Sequence, residues 1–183
     1  LHGRAAAWLE GRDAVLRAEH LERAEDPGAA AAYLGAARAQ AADHRQELAL
    51  RLAERGLGLA RDGGDRFALA CLRADLLHDL GRMPAALAAF GDALVAAGDE
   101  PERCRALIGQ AAVRRVTDDL DGAFVDLARA EELASRHGLL AEAARIHFLR
   151  GNLCFPKGDI EGCLREHARS LELARAAGAV EQE

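Results

Sequence analysis

The sequence predicts an all-α fold, a right-handed superhelix of antiparallel helical hairpins with about ten helices. One observation is a helix pattern that recurs at nearly equal intervals and opens each time on a small residue: Ala49, Ala86, Ala123 and Cys163. A second is a hydrophobic content of 50% with only 4% aromatic residues, which suits close helix packing better than a sheet core. A third is the short Gly/Asp turns between the apolar-periodic segments, because short turns force neighbouring helices to run antiparallel.

Residues 1–27 are predicted to form linker or capping helices. The first helix spans Gly3 to Glu10, with Trp8 on its apolar side. Asp13 then caps a second, amphipathic helix over residues 14–25, because an aspartate just before an apolar-periodic segment accepts a hydrogen bond from a free helix-terminal N–H.

Four hairpins are predicted to fill residues 28–178, which leaves 179–183 as a truncated tail. The helix pairs are residues 28–43 with 45–61, 65–80 with 84–97, 101–117 with 121–136, and 139–155 with 160–177. All four prolines mark helix edges, where the missing N–H costs least: Pro27, Pro84, Pro101 and Pro156. Two helical turns after each opening small position stands a second small residue: Gly56, Ala93, Ala130 and Ser170.

The turn and second helix at Gly81–Leu94 and the segment from Arg150 to Leu164 fit the tetratricopeptide pattern of small residues and turns closely. Over Gly28 to Gly178 the chain therefore resembles a divergent tetratricopeptide-repeat (TPR) array. The resemblance implies a stack of hairpins whose inner face binds another protein.

Leu1–Glu10 and Ala18–Ala24 resemble the linker helices that follow the ATPase module of large bacterial signal-transduction regulators. In such proteins a nucleotide cyclase sometimes precedes the ATPase, or a DNA-binding domain follows the repeats. The chain opens without methionine and ends where another helix would follow. We therefore expect a piece of a larger protein, with any enzyme upstream of Leu1.

The charge pattern argues against nucleic acid and membranes as partners. The net charge is −6, with both signs mixed along the chain and no long basic run. No apolar stretch approaches the roughly 18 residues that span a bilayer, and we expect a cytoplasmic protein. The four cysteines lack paired CxxC spacing, which disfavours a zinc site or a disulfide framework.

No nucleotide, hydrolase or metalloprotease motif is present, so we expect neither catalysis nor a cofactor. Asp118–Gly122 has the composition of a calcium loop without its ligand spacing and is predicted to be a turn with capping aspartates. A metal cluster at the fourth hairpin would combine His147 and His167 with the two nearby cysteines. Its spacing matches no known ligand set, and core histidines with small apolar thiols are the preferred interpretation.

The TPR resemblance places candidate partner-binding residues on the first helix of the hairpins. They are Asp75, His78, Arg105, Arg115, Arg145 and Asn152. Together they would form a polar, partly cationic strip that grips acidic side chains or a terminal carboxylate. Asn152 matches a family position whose amide holds a peptide backbone. Cys71 and Ile108 stand where chaperone-binding members need basic residues, so a two-carboxylate clamp for chaperone tails is not expected.

Three functions fit these features. The first is a non-catalytic scaffold that binds a peptide or a partner domain in its concave groove. The second is a sensor or regulatory arm that changes the activity of an attached ATPase or cyclase. The third is self-association through the uncapped ends of the repeat array, where Leu171 and Leu173 would expose apolar surface.

Overall fold

The computed structural model describes residues 1–61 and 63–178, and over these ranges the chain forms ten α-helices and one short 3₁₀ helix without any strand. The turn residue Asp62 and the predicted tail 179–183 lie outside the described residues. The helices are α1 His2–Leu9, α2 Ala14–Arg23, α3 Ala29–Ala42, α4 Gln46–Leu59, α5 Gly63–Asp79, α6 Met83–Ala96, α7 Glu100–Val116, α8 Leu120–His137, α9 Leu140–Cys154 and α10 Ile160–Ala176. The 3₁₀ helix Phe155–Lys157 joins α9 to α10.

The helices group into two compact units, Leu1–Gly98 and Asp99–Glu183. In the N-terminal unit α1 packs on α2 and α2 on α3, while α3–α4 and α5–α6 form hairpins joined by contacts of α4 with α5. In the C-terminal unit α7–α8 and α9–α10 are hairpins, and α9 packs on both α7 and α8. The predicted all-α fold of helical hairpins is confirmed, whereas the predicted division at residues 27 and 178 stays a prediction.

Capping aspartates fix where several helices begin. The side chain of each accepts a hydrogen bond of 2.8 to 3.0 Å from the backbone N–H of the residue three positions later. These aspartates are Asp13, Asp99, Asp119 and Asp159. This bond satisfies one of the N–H groups that the first helical turn leaves free. The predicted turn at Asp118–Gly122 is confirmed, since Asp119 is the N-cap of α8.

The recurring small residues are the positions at which helices approach closely. Ala49, Ala86 and Ala123 are fully buried, and so are Ala93 and Ala130. Gly56 and Ser170 are buried as well, whereas Cys163 in the last hairpin is partly exposed. A bulky side chain at the buried positions would hold the helices apart, which explains why small residues recur there.

Two burial predictions are wrong. Trp8 is 65% exposed, because the short helix α1 packs chiefly on α2 and buries Ala6 and Leu9 instead. Leu173 is 9% exposed and packs with Ala144 and Ala174, so it belongs to the core and not to an exposed end. The face of a helix that meets its neighbour is set by both partners, and the helical period of one helix alone does not determine it.

Candidate functional site

The candidate site lies on α7 and α9, the first helices of two successive hairpins in the C-terminal unit. The two helices pack against each other and run in the same direction, since each is followed by one antiparallel helix. Equivalent positions in these hairpins are offset by one repeat, so Arg105 on α7 corresponds to Arg145 on α9, and Ala112 corresponds to Asn152. Helical spacing puts Arg105, Ala112 and Arg115 on one face of α7.

A groove of about 410 Å³ lies between these helices. It is lined by Ala112, Arg145, Phe148 and Leu149. Phe148 is 50% exposed, and an exposed aromatic face at the floor of a groove offers a site for an apolar side chain. We call these four residues the α7–α9 groove.

Three arginines of this face are not engaged with carboxylates of the described residues. Among the described residues, Arg105, Arg115 and Arg145 take part in no ion pair, and the Nε atom of Arg115 is buried without a hydrogen-bond partner. Other arginines bind carboxylates at 2.6 to 2.8 Å, in the pairs Arg114–Asp126, Arg136–Glu100 and Arg150–Glu131. The three unpaired guanidinium groups therefore keep their full capacity to bind an anion.

Asn152 lies one turn beyond Leu149 on α9 and is partly buried. A carboxamide offers two N–H donors and one acceptor oxygen. These match the alternating N–H and C=O groups of a peptide backbone, which suits the role that the sequence predicts for Asn152.

The other two predicted site residues, Asp75 and His78, lie on α5 in the N-terminal unit. Asp75 is partly buried and engaged in an interaction of its own. His78 has its Nδ1 atom 3.6 Å from the carboxylate of the adjacent Asp79, and its Nε2 atom is buried without a hydrogen-bond partner. Their part in partner binding stays a prediction.

The two histidines of the fourth hairpin, His147 and His167, are engaged by different neighbours. His147 lies between two carboxylates, with Nδ1 2.6 Å from Glu166 and Nε2 3.7 Å from Glu131. His167 instead packs on Phe148, with ring centroids 5.5 Å apart, and covers Gly151. Within 1–61 and 63–178, no group of three or more His, Cys, Asp or Glu residues is arranged to hold a metal ion.

The Cys104 thiol is buried and hydrogen-bonded within the C-terminal unit. Cys104 is fully buried in α7, and its thiol donates to the carbonyl oxygen of Ala130 at 3.3 Å. Burial raises the pKa of Cys104 to about 11, so the thiol stays protonated near neutral pH and is a poor nucleophile.

No helix of the described residues has the length and apolar character that crossing a bilayer requires.

The groove residues Phe148 and Leu149 and the ion pair between Arg114 and Asp126 were not predicted from the sequence. Phe148 and Leu149 follow Arg145 by three and four positions, and this spacing could have placed them on the same helix face. Asp126 is 5% exposed and binds Nε of Arg114 at 2.8 Å. Burial raises the pKa of the Asp126 carboxyl, and Arg114 opposes that shift; no sequence pattern signals such a pair.

Comparison with known proteins shows the fold. No protein-family model matches the chain, and no curated protein matches it. Solved structures similar to it include MamA 41-end from Desulfovibrio magneticus RS-1, with a TM-score of 0.67 and 15% identity, and the MamA RS-1 ArsTM double mutant, with a TM-score of 0.66 and 16% identity. Each alignment covers 96% of this chain and 94% of the other. Since both are TPR-like helical-repeat proteins, the chain has a TPR-like helical-repeat fold.

Proposed function

We propose that this chain is a non-catalytic interaction scaffold that binds an acidic peptide segment of a partner protein along α7 and α9. The observation that carries the proposal is the α7–α9 groove of about 410 Å³, which has an apolar floor and lies on the face that carries arginines paired with no carboxylate of the described residues. The TPR-like fold supports it, because stacked hairpins present their first helices as a continuous binding face.

The three kinds of groups on this face suit an extended acidic peptide. A leucine-sized side chain seated on Phe148 and Leu149 contributes roughly 1.5–3 kcal/mol through burial. A guanidinium such as that of Arg145 binds carboxylates through two parallel hydrogen bonds. Asn152 holds the peptide backbone and so fixes its register. The net charge of −6 makes an acidic ligand unfavourable elsewhere on the surface, which confines binding to the local cationic face.

A regulatory arm of an ATPase or cyclase protein is the second candidate, and the way α2 is held on the repeats supports it. Glu22 of α2 accepts a hydrogen bond from Tyr33 Oη of α3 at 2.6 Å and pairs with Arg55 of α4. The helices that resemble a linker are therefore fixed to the hairpins, as transmission to an upstream module requires.

The proposed setting is the cytoplasm, in keeping with the free thiols of all four cysteines.

We expect a fluorescein-labelled peptide that alternates glutamate with leucine to bind the chain, and Arg145→Ala to weaken that binding about tenfold, or about 1.4 kcal/mol. The variant removes a guanidinium from the groove wall and leaves the helix intact, since alanine is a strong helix former. Fluorescence anisotropy measures the affinity. Added salt should weaken binding by wild type more than by the variant.

The matched control is Arg169→Ala on α10, which is exposed as Arg145 is, pairs with Glu172 at 3.0 Å and does not line the groove. It should leave the affinity unchanged. A peptide with lysine in place of glutamate should not bind. The proposal fails if the two peptides bind equally, or if both arginine variants have the same effect.

A further inference from the structure

In the C-terminal unit, the hairpin α9–α10 covers a row of side chains along one face of α8, the second helix of the preceding hairpin. We call this row of side chains a stripe. On α8 this stripe includes the partly buried Phe124 and Glu131, with the exposed Asp121 at its edge. Lys157 lies 3.2 Å from the Asp121 carboxylate and 4.6 Å from the centre of the Phe124 ring. Arg150 donates to Glu131 at 2.7 Å. The stacking interface between hairpins therefore runs along this stripe of α8.

The equivalent stripe on α10, one repeat later, is apolar and exposed. Leu164 takes the place of Phe124 and Leu171 that of Glu131. Leu164 is 66% exposed, Leu171 40% and the nearby Ile160 53%. The stripe is thus more apolar than the one that α9 covers, and it continues the same stacking interface.

We propose that this stripe is covered by a second copy of the chain, with the two α10 helices packed antiparallel and crossing at Ala168. Ala168 is exposed and small, so two backbones can approach closely there. Around this centre, Leu164 of one copy lies against Leu171 of the other. The contact is isologous: it buries the same patch on both copies and forms a closed dimer.

The charges beside the stripe favour an antiparallel pair over a parallel one. Along α10 the flank reads Glu161, Arg165, Glu172 and Arg175, with alternating signs. When the second helix is reversed, Arg165 faces Glu172 of the other copy and Glu161 faces its Arg175, so all of these contacts join opposite charges. In a parallel pair this flank would instead face the opposite flank of the partner helix, and these contacts between opposite charges would be lost.

Sedimentation equilibrium across the micromolar range tests the proposal. We expect wild type to shift from the mass of one chain to twice that mass, and Leu164→Glu to raise the dissociation constant on the order of a hundredfold, because each dimer loses two buried leucines. The control is Val125→Glu on α8, another large apolar side chain that is 51% exposed; it should dimerise as wild type does. Wild type that stays monomeric, or dimers that persist in Leu164→Glu, would overturn the proposal.

A charge exchange tests the antiparallel geometry without touching the apolar stripe. Arg165→Glu should weaken the dimer, since two Glu–Glu contacts replace two Arg–Glu contacts, and adding Glu172→Arg should restore it. Failure of the double variant to restore the dimer would rule out this arrangement. The proposal does not depend on peptide binding, since none of these variants changes a residue of the α7–α9 groove.

Discussion

Gly56→Ala is expected to lower the free energy of unfolding by about 2 kcal/mol. Gly56 lies where α4 meets α3 and α5, and a Cβ atom there would come within 2.9 Å of Tyr33 Cβ and of Leu69 Cδ2. Tyr33 Cβ is attached directly to the backbone of α3, so the helices themselves must move apart. Urea denaturation followed by circular dichroism measures the loss.

The same helix supplies the control, Gly58→Ala. A Cβ atom at Gly58 would have nothing within 4 Å. This variant should gain about 0.5–1 kcal/mol, because alanine loses less conformational entropy in a helix than glycine does. Equal stability of the two variants would show that Gly56 is not the close contact that the hairpin packing requires.

Arg114→Met is expected to lower the free energy of unfolding by about 2 kcal/mol at neutral pH. The substitution keeps an apolar stem but leaves the Asp126 carboxylate buried without its partner, for which losses of about 3–5 kcal/mol are typical. We expect less because Arg114 itself is 30% exposed. Arg136→Met, which breaks the exposed pair with Glu100, should cost only about 0–1 kcal/mol.

The effect of Arg114→Met should shrink as the pH falls. Burial raises the pKa of Asp126, and loss of Arg114 raises it further. A carboxyl with a raised pKa binds its proton more tightly in the folded chain than in the unfolded chain. Its cost to the free energy of unfolding therefore grows as the pH rises from the unfolded-state pKa to the folded-state pKa. Urea unfolding at about pH 5 and about pH 7 should therefore show the smaller difference at the lower pH; a constant difference would contradict this explanation.

The hairpins were predictable because their signals are local. The N-cap Asp119, the turn glycine Gly138 with φ of 63°, and Pro101 near the start of α7 each act within a few residues of their own position. The helix bounds therefore follow from the sequence to within a few residues, and the buried small positions follow from the repeat.

The details of the site were less predictable because they depend on two helices at once. The TPR register predicts that Arg115 and Arg145 lie on the first helices of their hairpins. It does not predict the groove, because the groove depends on the distance between α7 and α9. Whether a guanidinium pairs or stays free also depends on partners far along the chain: Arg114 finds Asp126, whereas the adjacent Arg115 finds no carboxylate among the described residues. Such pairings are set by tertiary contacts that no local pattern specifies.

The most direct test of the central claim, that α7 and α9 form the binding face, is a ¹H–¹⁵N NMR titration of the chain with the glutamate–leucine peptide. We predict that the amide signals that shift most belong to the groove residues Ala112, Phe148 and Leu149 and to the neighbouring Asn152, and that Arg145→Ala reduces these shifts. Shifts concentrated on other helices, or no saturable shifts at all, would contradict the account.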